Sequence, residues 1–118
     1  MAGGESDSGN PRSEVFSAQV GADGRIGAWQ NLAGTRLPEA LNSFTLTAAD
    51  GQLVAIGGES GAPAYDRSEV YRAEIHADCT LGAWASETGA AMPYELVDHA
   101  AAALEGQENA LQIGLGDA

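Results

Sequence analysis

Gln52-Leu53-Val54-Ala55-Ile56-Gly57-Gly58-Glu59-Ser60 decides how the rest of the chain is read. Four apolar residues predict a short strand, and the Gly-Gly that ends it lets the backbone turn where a side chain would clash. What lies before and after this stretch is one pattern written twice. Residues 12–52 realign on residues 67–107 with roughly 16 identities in about 41 positions, a period near 55 residues. The 118 residues therefore read as a single repeat domain spanning 1–118, with a first repeat at 3–56 and a second at 57–118.

Working outward, residues 13–20 and 25–30 read as a hairpin closed by Ala22-Asp23-Gly24, since Asp-Gly tolerates positive φ. Residues 41–49, with Phe44, Thr45, Leu46 and Thr47, form the next strand, and Asp50-Gly51 turns it into Leu53-Val54-Ala55-Ile56. The second repeat replays the cycle at 69–75, 80–85, 97–104 and 110–114. In residues 69–75, Val70, Arg72 and Glu74 alternate with Tyr71, Ala73 and Ile75, the period of a half-buried strand. Ala100 to Ala103 favours helix by propensity; the repeat register makes it a strand. A turn with a small insertion is expected over residues 105–109.

Composition limits the partners. Net charge is −12, and all five basic residues are Arg. A polyanion releases no counterions from nucleic acid and is repelled by acidic lipid, so neither is an expected partner. A single cysteine, Cys79, excludes an internal disulfide. The N-terminal residues do not read as a signal peptide and no apolar run is long enough to span a membrane; an exported chain whose leader has been removed reads the same way. A soluble chain is expected, cytoplasmic by default.

The order of parts resembles the kelch repeat: Asp50-Gly51, Ile56-Gly57-Gly58, Val70-Tyr71 and Trp84, then Pro93 ahead of His99, with Gly3-Gly4, Val15-Phe16, Trp29 and Pro38 in the first repeat. The second repeat departs from it in ending Gly114-Leu115-Gly116, and Phe44 stands where the second repeat has His99. The resemblance implies an all-β fold of β-propeller blades, each of four antiparallel strands arranged radially. Trp29 and Trp84 are expected to fill the space between neighbouring blade faces.

In that scheme the strand order is permuted. Residues 41–85 make one uninterrupted blade, residues 15–30 lack an inner pair and residues 97–114 lack an outer pair. Half blades leave bare strand edges and apolar faces, which soluble proteins avoid. Pairing of residues 110–113 of one chain with residues 15–20 of the next completes the blades between chains, by head-to-tail contacts that close a ring. A homo-oligomeric ring, trimer or tetramer, is expected. An excised or engineered piece of a larger propeller accounts for the same pattern.

Binding residues concentrate on long loops carried by rigid strands. Residues 59–68 and 86–95 fall on one rim, bringing Arg36, Glu39, Asn42, Tyr65, Arg67, Tyr94, Asp98 and His99 forward as candidates for a protein, glycan or small ligand. The competing reading of that rim is a solvated edge of paired charges. His76 and His99 have no partner at metal-ligand spacing, and the turn residues Asp23, Asp50 and Asp78 each stand alone, so neither zinc nor calcium is expected. Kelch-type copper oxidases use tyrosine, histidine and a cysteine crosslinked to tyrosine. Cys79 falls on the opposite rim from Tyr65 and Tyr94. The expectation is a non-enzymatic binding module with no cofactor, the alternative being a lectin or glycan-processing propeller.

Overall fold

A computed structural model describes residues 1–61, 65–104 and 110–113. Its strands follow in the order β1 Phe16–Ser17, β2 Gln30–Asn31, β3 Thr45–Ala49, β4 Gln52–Ile56, β5 Glu59–Ser60, β6 Tyr65–Asp66, β7 Val70–Glu74, β8 Ala85–Ser86, β9 Ala101–Leu104 and β10 Ala110–Ile113. Single 3-10 turns at Ala33–Thr35 and Thr88–Ala90 follow β2 and β8. The described chain is thus all-β, and no helix in it is long and apolar enough to cross a membrane. The turn expected at 105–109 and the closing Gly114-Leu115-Gly116 lie outside the described residues.

The centre is a four-stranded antiparallel sheet in the order β3-β4-β7-β8, built within and just past the span expected for it. Asp50 and Gly51 both take positive φ, the geometry of a two-residue hairpin whose twist matches its strands. Leu46, Ala55 and Tyr71 stand in register across three strands, as do Thr45, Ile56 and Val70. Because side chains alternate, these rows line opposite faces. Ile56 and Ala55 are completely buried, so both faces are covered.

What covers them repeats. On one side Ala55 packs with Val15, Leu37 and Leu41, with Leu46, Tyr71 and Trp84 against them. On the other, Val54, Ile56 and Val70 pack with Met92 and Leu96, with Ala101 against them. Val15, Leu37, Leu41 and Leu46 stand about 55 residues ahead of Val70, Met92, Leu96 and Ala101, so the two cores are one core made twice. The backbone agrees. Leu32 N donates to Val15 O and Glu87 N to Val70 O; Leu37 N donates to Ser13 O and Met92 N to Ser68 O; Gly4 N donates to Leu41 O and Gly58 N to Leu96 O.

The Gly-Gly stretch works as its sequence predicts. Gly57 and Gly58 have φ of 62° and 92°, a region where side chains are strained. A methyl on Gly57 would stand 2.7 Å from Met92 Cε, and one on Gly58 2.7 Å from Asn42 O. Both glycines are needed for the close approach.

Several expectations change in detail: the return strands expected over residues 25–30 and 80–85 are regular only at Gln30–Asn31 and Ala85–Ser86, with single bridges at Ile26 and Leu81. The strand expected over residues 13–20 is regular only at Phe16–Ser17, with bridges at Val15 and Val20. Its second-repeat counterpart β7 pairs with β4 along five residues, whereas the first repeat offers only the Met1-Ala2-Gly3 segment, through Ala2↔Val15 and Gly3 N to Glu14 O. The 59–68 loop contains the small hairpin β5–β6. Residues 101–104 are a strand paired with β10, the register prevailing over alanine's helix propensity.

Candidate functional site

The loop after the Ala33–Thr35 turn carries Glu39 back over β7, where it meets two side chains. Arg67 Nη2 donates to Glu39 Oε1 at 2.6 Å and Nε to the same oxygen at 3.0 Å, while Tyr71 Oη donates to Oε2 at 2.5 Å. Both carboxylate oxygens are occupied, and Glu69 adds a second carboxylate 3.7 Å from Arg67 Nε. The Glu39 hydrogen bond holds Arg67 above its ordinary pKa. Burial first, then the bond to Glu39, raises that of Tyr71. This is a charge-assisted tie between the first repeat and the central sheet.

Of the other candidates, Arg36 Nη1 lies 3.4 Å from Glu14 Oε1, and Arg12 Nε lies 2.7 Å from the second oxygen of the same carboxylate. The Arg12 hydrogen bond holds Glu14 below the usual carboxylate range. Asn42 is buried and donates through Nδ2 to Glu5 Oε2 at 2.9 Å. Tyr65 lies in β6. Tyr94 is 58% exposed. Asp98 is exposed at φ 53°, matching Ser43 at φ 52° one repeat earlier. His99 stands where the first repeat has Phe44 and lies beside Gly57, half-buried, with neither ring nitrogen hydrogen-bonded among the described residues. Burial lowers its pKa.

The structure therefore joins Glu39 to Arg67, and pairs Arg36 and Asn42 with residues outside the candidate set, Glu14 and Glu5. Tyr71 was absent from that set. Its signal was there: Glu39 and Tyr71 of one repeat-to-repeat contact are matched, about 55 residues away, by Tyr94 and Phe16, so the acid and the hydroxyl that meets it are replaced together.

The connections alternate between the two ends of the central sheet, so Asp50-Gly51 and the turn holding Cys79 share one end, and the residues just after Ile56 and Ser86 the other. Cys79 is exposed with φ 66° at the place of Gly24. A groove of about 300 Å³ runs between the first repeat and the central sheet, lined by Met1, Phe16, Trp29, Leu53, Ile75 and Leu81 among others. No group of three His, Cys, Asp or Glu residues that could hold a metal ion occurs among the described residues. Compared with protein-family models, with curated proteins and with solved structures, the chain matches none of them.

Proposed function

We propose that this chain is a non-enzymatic module of kelch-like β-propeller blades that assembles head to tail into a closed ring of three or four chains and offers its long-loop rim to a protein or small ligand. The observation that supports this most is the sandwiching of the central sheet. One face is covered by Val15, Leu37 and Leu41; on the other, Val54, Ile56 and Val70 of the sheet itself are covered by Met92 and Leu96, the residues about 55 positions after Leu37 and Leu41. Sheets stacked face to face by one repeated contact are the building rule of a propeller. The same contact made between chains extends the array until it closes.

Rim chemistry favours recognition over turnover. The carboxylates of Glu39 and Glu14 are committed to arginines, while Tyr94 stands open to solvent. An exposed aromatic ring on a loop is also what a sugar face stacks on, which keeps the lectin reading as the alternative. Light scattering combined with a glycan array and a hydrolase and oxidase panel tests the proposal. Several chain masses with binding and no turnover is the expected result; turnover abolished by rim substitutions would overturn the non-enzymatic reading.

A further inference from the structure

Trp29 and Trp84 occupy the same place in the two repeats and meet opposite fates. Trp84 is half-buried, packs against the Val15, Leu37 and Leu41 core, and donates from Nε1 to Thr35 O at 2.8 Å. Trp29 is 55% exposed, and Met1, which lines the same groove, is 66% exposed. Trp84 is covered because the 3-10 turn of the preceding repeat lies over it. The turn standing in that relation to Trp29 is Thr88–Ala90, and within one chain it lies beyond the central sheet, after β8.

We infer that the face of Trp29 and the edge at residues 17–19, just beyond the Phe16–Met1 hydrogen bonds, form a socket for a second copy of this chain, whose Ala90 carbonyl accepts the Trp29 Nε1 hydrogen and whose β10 adds a strand there. This rests on the head-to-tail reading above and names its interface. Three independent features select the same occupant.

The first is register. Gln52, Leu53 and Val54 pair with Glu74, Ala73 and Arg72, whose first-repeat counterparts are Gln19, Ala18 and Ser17. Ala110 pairs with Leu104 as Gln52 pairs with Ala49, so β10 carries the pairing positions that this edge lacks. The 300 Å³ groove between that edge and Leu53, Ile75 and Leu81 is where the added strand runs.

The second is side-chain matching. Within the chain, Glu39 meets Tyr71 and Arg67. Across the inferred contact the corresponding residues are Tyr94 of the second chain with Phe16 and Arg12. A carboxylate facing Phe16 would lose its hydroxyl donor, and Tyr94 removes that cost. Arg12, half-exposed and held only by Glu14 among the described residues, gains the Tyr94 hydroxyl and Glu95, which follows it.

The third is charge. Residues 86–118 carry six acidic side chains and no Lys or Arg, whereas residues 1–36 hold Arg12, Arg25 and Arg36, three of the five arginines. Residues 1–36 set four acids, Glu5, Asp7, Glu14 and Asp23, against those arginines for a net −1, so a C-terminal end at −6 is repelled far less by an N-terminal end than by another C-terminal one.

The test uses two single-face variants of the full chain, Trp29→Ala on the socket and Tyr94→Arg on the inserting end, where it confronts Arg12. Both positions are exposed in one chain, so folding is retained and circular dichroism checks it. Light scattering is expected to give several chain masses for the unaltered protein, 12.0 kDa for each variant alone, and twice that for their equal mixture, because each supplies the face the other lacks. In a Trp84→Phe chain Trp29 is the sole indole, and its emission moves to shorter wavelength as concentration rises. Single mass for the unaltered protein overturns both this inference and the reading it rests on. Multiple masses that survive both substitutions, or assembly without the emission shift, overturn the socket alone and leave self-assembly standing through another face.

Discussion

Replacing Trp84 by Ala removes an indole that the first repeat holds down, and Trp29→Ala is its internal control, one repeat away. Indoles bring roughly 150–250 Å² of surface to a contact. Trp84 is half-buried and Trp29 is 55% exposed, so the additional cover on Trp84 is on the order of 80 Å², worth about 2 kcal/mol at about 25 cal/mol per Å². Loss of the hydrogen bond to Thr35 O adds about 1 kcal/mol. Trp84→Ala should therefore destabilise the single chain by about 3 kcal/mol more than Trp29→Ala does. Urea unfolding followed by far-ultraviolet circular dichroism, at a concentration where light scattering shows one chain, measures both. Equal costs for the two substitutions would refute the claim that the first repeat packs on Trp84.

Three further substitutions test the fold at separate points. Gly58→Ala places a methyl 2.7 Å from Asn42 O at φ 92° and should cost about 3 kcal/mol in strain and displacement together; a near-neutral midpoint in urea would contradict the close approach. His99→Phe, the residue the first repeat uses, removes two ring nitrogens that have no hydrogen-bond partner among the described residues and should stabilise by about 1 kcal/mol at neutral pH. The His99 pKa lies below its unfolded value, so its contribution is intact above about pH 6.5 and is lost as pH falls; stability of His99→Phe should fall less on acidification, and parallel pH curves would speak against burial of the ring. Tyr71 is shifted the other way, its folded pKa raised by burial and by Glu39. Its contribution is intact below about pH 10 and is lost above it. Tyr71→Phe should cost about 2 kcal/mol at neutral pH and flatten the alkaline decline, and an unchanged decline would remove Tyr71 from the tie.

The sheets were legible in the sequence because they depend on short-range alternation and on one period. Gly57-Gly58 and Asp50-Gly51 place the two ends of β4, and the aligned register assigns residues 101–104 to a strand where alanine propensity alone points to helix; the repeated Trp misled, since β2 and β8 begin just after Trp29 and Trp84. The candidate site was less legible. Glu39, Arg67 and Tyr71 meet across 28 and 32 residues of chain, and nothing local to any of them announces the contact. Tyr94 and Phe16 did carry its trace, visible only when the two repeats are compared pair by pair. The shortness of β1 and the opposite fates of Trp29 and Trp84 were hidden for another reason: equal residues in equal repeats read alike, and only the neighbour packed on them differs.

Self-association is the claim on which the functional account turns, and mass against concentration by light scattering is its most direct measure. The account predicts a discrete species of three or four times 12.0 kDa that is reduced to one chain by Trp29→Ala. A folded protein that keeps the mass of one chain up to high concentration would contradict it.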